Sequence, residues 1–357
     1  MSSEPPPLAM KLSDFDYVLP KELIAQYPQK ERDTARLLVL NRKLGTIEHR
    51  IFKDIINYFR NDDLLVLNNS KVLPSRLTGS RVTGGKVEVL LLNHKSGLTF
   101  NALVRPSRIK VGEKIIFSPL ANMSKERRGE MPLAGINGQA IRCEMTGNNE
   151  VTFYAPDIDT IYRHGVMPLP PYIKRAPEEL DNVYYQTVYA KEDGSIASPT
   201  AGLHFTKELV AKIESCGINI AYITLHINYS TFKSVKAEDI TKHKMEKEYF
   251  RISAEAKKSI DHARLEKRRI FAAGTTACRA LESYASGIKV EYTALFIYPG
   301  YKLQITDCLI TNFHLPRTTL FMLVCAFAGE KLVKNAYQEA VDRKYRFYSY
   351  GDAMLII

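Results

Sequence analysis

One abrupt change of texture limits the folds open to this chain. From about Val72 to Tyr154 the helical spacing of apolar residues disappears, and short β-type runs take over: KVEVLLL, FNALVRP, EKIIF, QAIRCEM and EVTFYA. Gly, Asn and Ser separate these runs, the pattern of a small barrel or a sandwich. Upstream, Ile51, Phe52, Ile55, Ile56 and Phe59 form one helical stripe, and DDLLVLNNSKVLPSRL reads as a buried strand, an Asn-Asn turn and a Pro-terminated exit. Downstream, INIAYITL, a charged helix over Ser253–Lys267, RRIFAAGTT, ACRALESYAS, YTALFIYPG, LFMLVCAFAG and EKLVKNAYQEAVDRK alternate in α/β fashion, which predicts a largely parallel sheet. A sheet of that kind needs both faces covered, so the first 60 residues or so are assigned to the same unit. The expected organisation is a discontinuous α/β domain (residues 10–68 and 155–357) interrupted by a β unit (69–154). The Pro-rich residues 1–9 read as a disordered tail, and Ser118–Gly138, rich in Lys, Arg and Gly, as a mobile hairpin excursion.

Charge points to a polyanionic partner. The 357 residues carry 50 Lys and Arg against 39 Asp and Glu, a net charge of +11, which makes nucleic acid the first candidate. Lys71, Arg76 and Arg81 lie close together, as do Arg105, Arg108 and Lys110. In RPSRIKVG, Pro106 prevents a regular helix, and loop arginines can offer a planar fork to phosphate oxygens. A merely solvated loop has the same composition. Five scattered cysteines without a CxxC pair argue against a disulfide framework or a zinc site and suit a reducing cytoplasm. No apolar run reaches the roughly 18 residues of a membrane span, and MSSEPPPLAM lacks the features of a signal peptide.

Three segments can carry chemistry. Gly194–Phe205 reads GSIASPTAGLHF, a run of small residues without helical or strand period, punctuated by Pro199 and Gly202. His204 follows at the mouth of an expected helix with Thr206 as its cap, an arrangement suited to an anionic or polar ligand. A tight connection with His204 packed on Phe205 is the plain alternative. In RRIFAAGTTACRALES, a buried strand runs into Gly274-Thr275-Thr276 and then a helix, aiming N–H groups and hydroxyls at the end of a sheet. Arg279 and Glu282 follow about one turn later on the same face. The segment is neither a GxGxxG turn nor a P-loop, so no dinucleotide or nucleoside triphosphate is inferred, and a capped helix after a strand fits equally. FIYPGY and TNFHLP gather Tyr298, Tyr301, Asn312, Phe313 and His314, aromatic faces for a cation or a base, or half-buried packing. Asp352, behind the Gly351 turn, suits a site acid or a cap. His204, His226, His243 and His314 show no HxH or HExxH spacing, so no metal is expected.

Taken together, these segments resemble the S-adenosylmethionine:tRNA ribosyltransferase-isomerase family of queuosine biosynthesis. The likeness is carried by MKLSDFDYVLPKELIAQYP, LLVLNNSKVLPSRL, VEVLLL, LVRPSR, MPLPPYI, YQTVYA, GSIASPTAGLHF, FIYPGY, TNFHLP and RFYSYGDAML, in order from Met10 to the end. It implies an α/β fold in which a discontinuous α/β domain carries an inserted small β-barrel domain, as the texture suggests. It implies an enzyme that transfers the ribosyl moiety of S-adenosylmethionine to 7-aminomethyl-7-deazaguanine at the tRNA wobble position. Isomerisation then gives epoxyqueuosine, and adenine and methionine leave. S-adenosylmethionine is then a co-substrate, no cofactor is required, the tRNA anticodon loop is the partner, and a cytoplasmic monomer is expected. On this basis His204 is the expected proton-transfer residue, with His314, His226 and Glu282 next. Thr200, Gly202, Thr275, Thr276, Asn312 and Asp352 are assigned to the substrate pocket, and Tyr298 and Tyr301 supply aromatic faces for the sulfonium. Lys71, Arg76, Arg105 and Arg108 are assigned to RNA.

The chain departs from the family pattern at defined places. Asn228-Tyr229-Ser230-Thr231-Phe232 replaces a Gly-Leu-Gly-Thr-Phe turn, removing two positions free to take positive φ. His243-Lys244-Met245-Glu246-Lys247-Glu248 lacks the second imidazole of an HKMHxE-type segment, Tyr292-Thr293-Ala294 lacks the carboxylate of a Trp-Thr-Asp, and Ala197-Ser198-Pro199-Thr200 stands for Ala-Ala-Pro-Thr. A tRNA-binding relative that has lost catalysis is the rival reading. A methyltransferase lacks support, because no glycine-rich turn with a downstream acidic ribose partner is evident.

Overall fold

Four runs of consecutive apolar residues build the middle of the large sheet. Strands Leu64–Asn68, Ile270–Ala273, Cys308–Asn312 and Ala353–Ile356 are buried at every position, as strands covered on both faces must be. Alternate side chains feed opposite cores: Leu64, Val66, Ile270 and Ala272 enter one, Leu65, Leu67, Phe271 and Ala273 the other. The computed structural model describes residues 10–118, 140–229, 235–288 and 291–357. The N-terminal tail and residues 119–138 of the basic excursion lie outside them.

Among the described residues the sheet has nine strands, in the order Tyr292–Thr293, Glu248–Ile252, Asn219–Leu225, Leu64–Asn68, Ile270–Ala273, Cys308–Asn312, Ala353–Ile356, Arg36–Asn41 and Thr46–Ile51. The chain's early strands thus lie among its late ones, and Arg36–Asn41 runs parallel to the last strand. The sheet is mixed rather than largely parallel. The run from Asn219–Leu225 to Cys308–Asn312 is parallel, but Ala353–Ile356 is antiparallel to Cys308–Asn312, and both margins end in antiparallel pairs. At one margin the cause is local: a four-residue turn with Gly45 at φ +69° joins Arg36–Asn41 to Thr46–Ile51, too short for a parallel crossover. Helices cover the faces. Thr206 caps Lys207–Ser215 by accepting from the Leu209 N–H (3.0 Å), and Ser253 caps Ala254–Leu265 in the same way. LFMLVCAFAG forms the buried helix Thr319–Ala328, and YTALFIYPG contributes only Tyr292–Thr293 to the sheet.

Six antiparallel strands between Arg76 and Tyr154 close into a barrel around Leu77, Val89, Phe100, Ile115, Phe117 and Val151. Five coincide with the β-type runs of the sequence. The sixth, Arg76–Arg81, lies in the segment read as an exit, and it closes the barrel at Gly79. A Cβ there would stand 2.5 Å from the Ile116 carbonyl oxygen and 2.7 Å from the Phe117 ring. Ser70–Val72 lies outside the barrel, paired parallel with Glu192–Ser195. No described helix is long and apolar enough to cross a membrane.

Candidate active site at one edge of the large sheet

Parallel register decides which residues meet. Leu64–Asn68, Asn219–Leu225, Ile270–Ala273 and Cys308–Asn312 all finish at one edge of the sheet, which gathers Asn68, His226, Gly274-Thr275-Thr276, Asn312 and His314. Ligands of open α/β sheets bind at such an edge. Arg36–Asn41 and Ala353–Ile356 begin there, adding Arg36 and Asp352. Asn68 ties the strand ends together: its Nδ2 donates to the Leu225 carbonyl (3.0 Å) and to Thr276 Oγ1 (3.2 Å), and its Oδ1 accepts from Leu225 N (3.0 Å).

The small-residue loop lies across this edge. The Ile196 N–H donates to the Ile227 carbonyl (3.1 Å), and Ser195 Oγ donates to the Ala197 carbonyl (2.7 Å) while accepting from Ile227 N (3.0 Å). Thr200–His204 then forms a 3-10 turn. Small residues are needed here. A Cβ on Gly202 would stand 2.2 Å from the Tyr189 hydroxyl and 2.7 Å from Thr187 Cγ2, and one on Gly274 (φ +102°) would lie 3.6 Å from Ala201 Cβ. The loop and the Gly-Thr-Thr turn are therefore packed together.

Among the described residues, five buried polar atoms on or against this loop lack a hydrogen bond of good geometry: Thr187 Oγ1, the Tyr189 hydroxyl, Ser198 Oγ, His204 Nε2 and Asn312 Oδ1, the last two on side chains that interact with each other. Native proteins pair nearly all such groups, so their concentration at one place marks a wall built for polar guests. His204 is 4% exposed and its ring lies 4.9 Å from that of Phe52, tilted by 31°. Burial pushes its pKa down to about 4; the Asn312 side chain opposes this, and the charges of Arg32 and Arg346 add to it. His204 is thus a neutral imidazole at neutral pH, beside the Asn312 amide. Burial also lowers His314, to about 3, and its Nε2 shares a 2.7 Å hydrogen bond with Thr311 Oγ1. Asp352 is fully buried and accepts from Arg36 N (2.9 Å) and Arg346 N (2.8 Å), a carboxylate that fastens two main-chain segments.

Other expected site residues lie elsewhere. Glu282 sits two turns down the helix Thr275–Ala285, at the opposite edge of the sheet. Its carboxylate accepts from Gln304 N (2.8 Å), Ile305 N (3.2 Å), Thr306 N (2.9 Å) and Thr306 Oγ1 (2.8 Å), and from the Tyr301 hydroxyl (3.3 Å). Those residues precede the strand Cys308–Asn312 that Asn312 ends, so the structure does not bring Glu282 and Tyr301 to His204. Tyr298 packs on Phe296, which meets His243. Arg279 does not share a site with Glu282; it forms a buried ion pair with Glu248. Of the residues assigned to RNA, Arg105 and Arg108 are exposed near the barrel's end. Lys71 is paired with Asp193 (3.1 Å), and half-buried Arg76 donates to the Leu169 carbonyl (2.9 Å).

The departures are accommodated where they can be seen. Asn228 is not among the residues with positive φ. Its N–H donates to Glu248 Oε1 (3.0 Å) and its Nδ2 to the Lys247 carbonyl (2.8 Å). Ser230, Thr231 and Phe232 lie outside the described residues. Glu246 and Ala294 are exposed. Beside the turn, a cleft with ≈ 1700 Å³ of free space, open to solvent, separates barrel residues Leu91–His94 from Gly194–Ile196, His226 and Tyr249. His226 stacks on Tyr249 there (5.2 Å, 17°), and burial lowers its pKa.

Two residues at the strand-end pocket escape sequence reasoning: Arg32 and Arg346. Arg32 lies in the charged run KERDTAR and Arg346 opens RFYSYGDAML; neither pattern singles its arginine out, and the fold carries both to His204.

The fold and site define an α/β enzyme that works on polar substrates at the strand ends, with a barrel beside them. The model of a family described as queuosine biosynthesis protein matches residues 12–356. The chain is 51% identical over 354 residues to the S-adenosylmethionine:tRNA ribosyltransferase-isomerase of Sulfurihydrogenibium sp. (strain YO3AOP1), covering 98% of this chain and 100% of that one. It is 47% identical, with the same coverage, to the enzyme of that name from Carboxydothermus hydrogenoformans. The crystal structure of S-adenosylmethionine tRNA ribosyltransferase from Thermotoga maritima aligns with a TM-score of 0.54 at 35% identity, covering 97% of this chain and 100% of that chain. The chain belongs to the S-adenosylmethionine:tRNA ribosyltransferase-isomerase family, enzymes of queuosine biosynthesis.

Proposed function

We propose that this enzyme transfers the ribosyl moiety of S-adenosylmethionine to 7-aminomethyl-7-deazaguanine at the wobble position of tRNA and isomerises it to the epoxy-cyclopentanediol of epoxyqueuosine, releasing adenine and methionine. The observation that carries this reading is the cluster of buried polar atoms lacking a hydrogen bond of good geometry around Gly194–Phe205, met by the Gly-Thr-Thr turn and Asn312. A non-catalytic RNA-binding relative would have no need of that wall. The donor's sulfonium acidifies the adjacent carbon, so a modest base suffices to begin proton removal. His204 supplies a neutral imidazole beside the Asn312 amide, and it cannot repel the sulfonium as an imidazolium would. Thr200, Thr275 and Thr276 supply hydroxyls at the pocket, and Asn312 an amide. The aminomethyl nitrogen forms the new C–N bond while the C–S and N-glycosidic bonds of the donor break. The open cleft beside the barrel suits an anticodon nucleotide turned out of its stack, with the His226–Tyr249 pair as a face for it. Exposed Arg105 and Arg108 lie at the barrel's end, where they can serve phosphates. On this reading the reaction draws on no cofactor beyond the co-substrate, and the protein works in the cytoplasm, where tRNA is. Nucleoside analysis of tRNA carrying the aminomethyl base, after incubation with enzyme and S-adenosylmethionine, should show conversion of that base to epoxyqueuosine. Recovery of the unchanged base would reject the reading.

A further inference from the structure

Two guanidinium groups stand near His204, and neither is in direct contact with a carboxylate among the described residues. Arg32 Nη1 donates to the carbonyls of Gln186 (2.8 Å) and Leu203 (3.2 Å), and its Nη2 to that of Val183 (2.7 Å). Arg346 Nη2 donates to the Tyr27 carbonyl. Among the described residues neither side chain lies in an ion pair, and burial lowers the pKa of both. The acid nearest to Arg346 in effect, Asp352, has both oxygens engaged by main-chain N–H groups. A half-buried charge met only by carbonyl dipoles and, for Arg32, the face of the Tyr184 ring is one for which a ligand can supply the counter-charge. Arg32 and His204 line one small recess with Tyr184, Ser349, Tyr350 and Gly351, and Arg346, though not in its lining, is close enough for its charge to act on His204. His204, a residue 4% exposed whose Nε2 lacks a hydrogen bond of good geometry, is the second polar group of that pocket.

We infer that this pocket holds the α-carboxylate of the donor's methionyl end, with Arg32 and Arg346 as its counter-charges. The inference rests on S-adenosylmethionine being the donor. Its sulfonium is repelled by the two guanidinium groups, so the donor must enter with its anionic end toward them and its reacting carbons toward the Gly-Thr-Thr turn. The same site then retains methionine as the product once the C–S bond has broken.

The test is calorimetric binding of S-adenosylmethionine and of its decarboxylated analogue to the wild type, Arg32→Met and Arg346→Met. The wild type should prefer the carboxylated donor by about 10- to 100-fold, the value of one or two charge-assisted hydrogen bonds. Both variants should bind the two donors within about threefold of each other. Because Arg32 also ties three carbonyls, Arg346→Met decides the matter if Arg32→Met fails to fold. Equal wild-type binding of both donors would overturn the inference. So would intact discrimination in folded Arg346→Met, or a rise in tRNA KM with donor preference unchanged. Wild type that releases adenine yet binds both donors equally contradicts this inference alone; wild type that neither binds nor turns over the donor contradicts the proposed function as well.

Discussion

Burial and two nearby guanidinium groups hold the His204 imidazole near pKa 4, so at neutral pH its ring carries a lone pair and no charge. Replacing it by Ala should lower the rate of adenine release by about 100-fold or more, in the range of a lost general base; near-normal turnover would remove it from the chemistry. The same burial makes a stability prediction. An unfolded chain protonates each histidine below about pH 6.5, whereas the folded protein resists until about 4 at His204 and about 3 at His314. Protons therefore favour the unfolded state in that window. The contribution is fully present above about pH 6.5 and is lost as pH falls toward 4, on the order of 3 kcal/mol per ring. Urea midpoints between pH 7 and 4.5 should fall more steeply for the wild type than for His314→Gln, and parallel curves would contradict a neutral buried ring. Gly202 was legible as a loop glycine, but its reason was not: its φ is ordinary, and what forbids a side chain is the Tyr189 hydroxyl. Gly202→Ala should cost about 1–3 kcal/mol by overpacking, and adding Tyr189→Phe should recover part of it.

At the scale of elements, local signals were read well and pairing signals poorly. The cap at Thr206 and the strand-to-helix turn at Gly274 depend on neighbours in sequence, and both stand where the pattern put them. The direction of Ala353–Ile356 and the sixth barrel strand depend on distant partners, which one sequence does not display. Glu282 shows the same limit. Read as lying about one turn beyond Thr275–Thr276 it suggests a site acid, yet it stands two turns down the helix and its carboxylate holds the loop ahead of Cys308–Asn312. Glu282→Gln should therefore lower stability by about 2–3 kcal/mol, the range for hydrogen bonds to a buried charge, while the folded fraction keeps its kcat. A large fall in kcat with unchanged melting temperature would return Glu282 to the chemistry.

At the scale of the whole molecule, the site is made by convergence. The small-residue loop, the Gly-Thr-Thr turn and TNFHLP were each visible in sequence because tight approach needs small residues and turns. Arg32 and Arg346 were not, because nothing adjacent in sequence shows that the fold half-buries them beside His204. The positive surplus and the exposed arginines at the barrel's end make RNA binding salt-dependent. Arg105→Ala with Arg108→Ala should reduce the slope of log Kd against log salt by roughly 1 per lost phosphate contact, measured by filter binding of the substrate tRNA. An unchanged slope would place the RNA elsewhere. The central claim is that the strand-end pocket spends S-adenosylmethionine as a ribosyl donor. Its most direct test is product stoichiometry with S-adenosylmethionine and tRNA bearing the aminomethyl base: one adenine and one methionine per modified tRNA are predicted, whereas S-adenosylhomocysteine, or binding with no product, would contradict it.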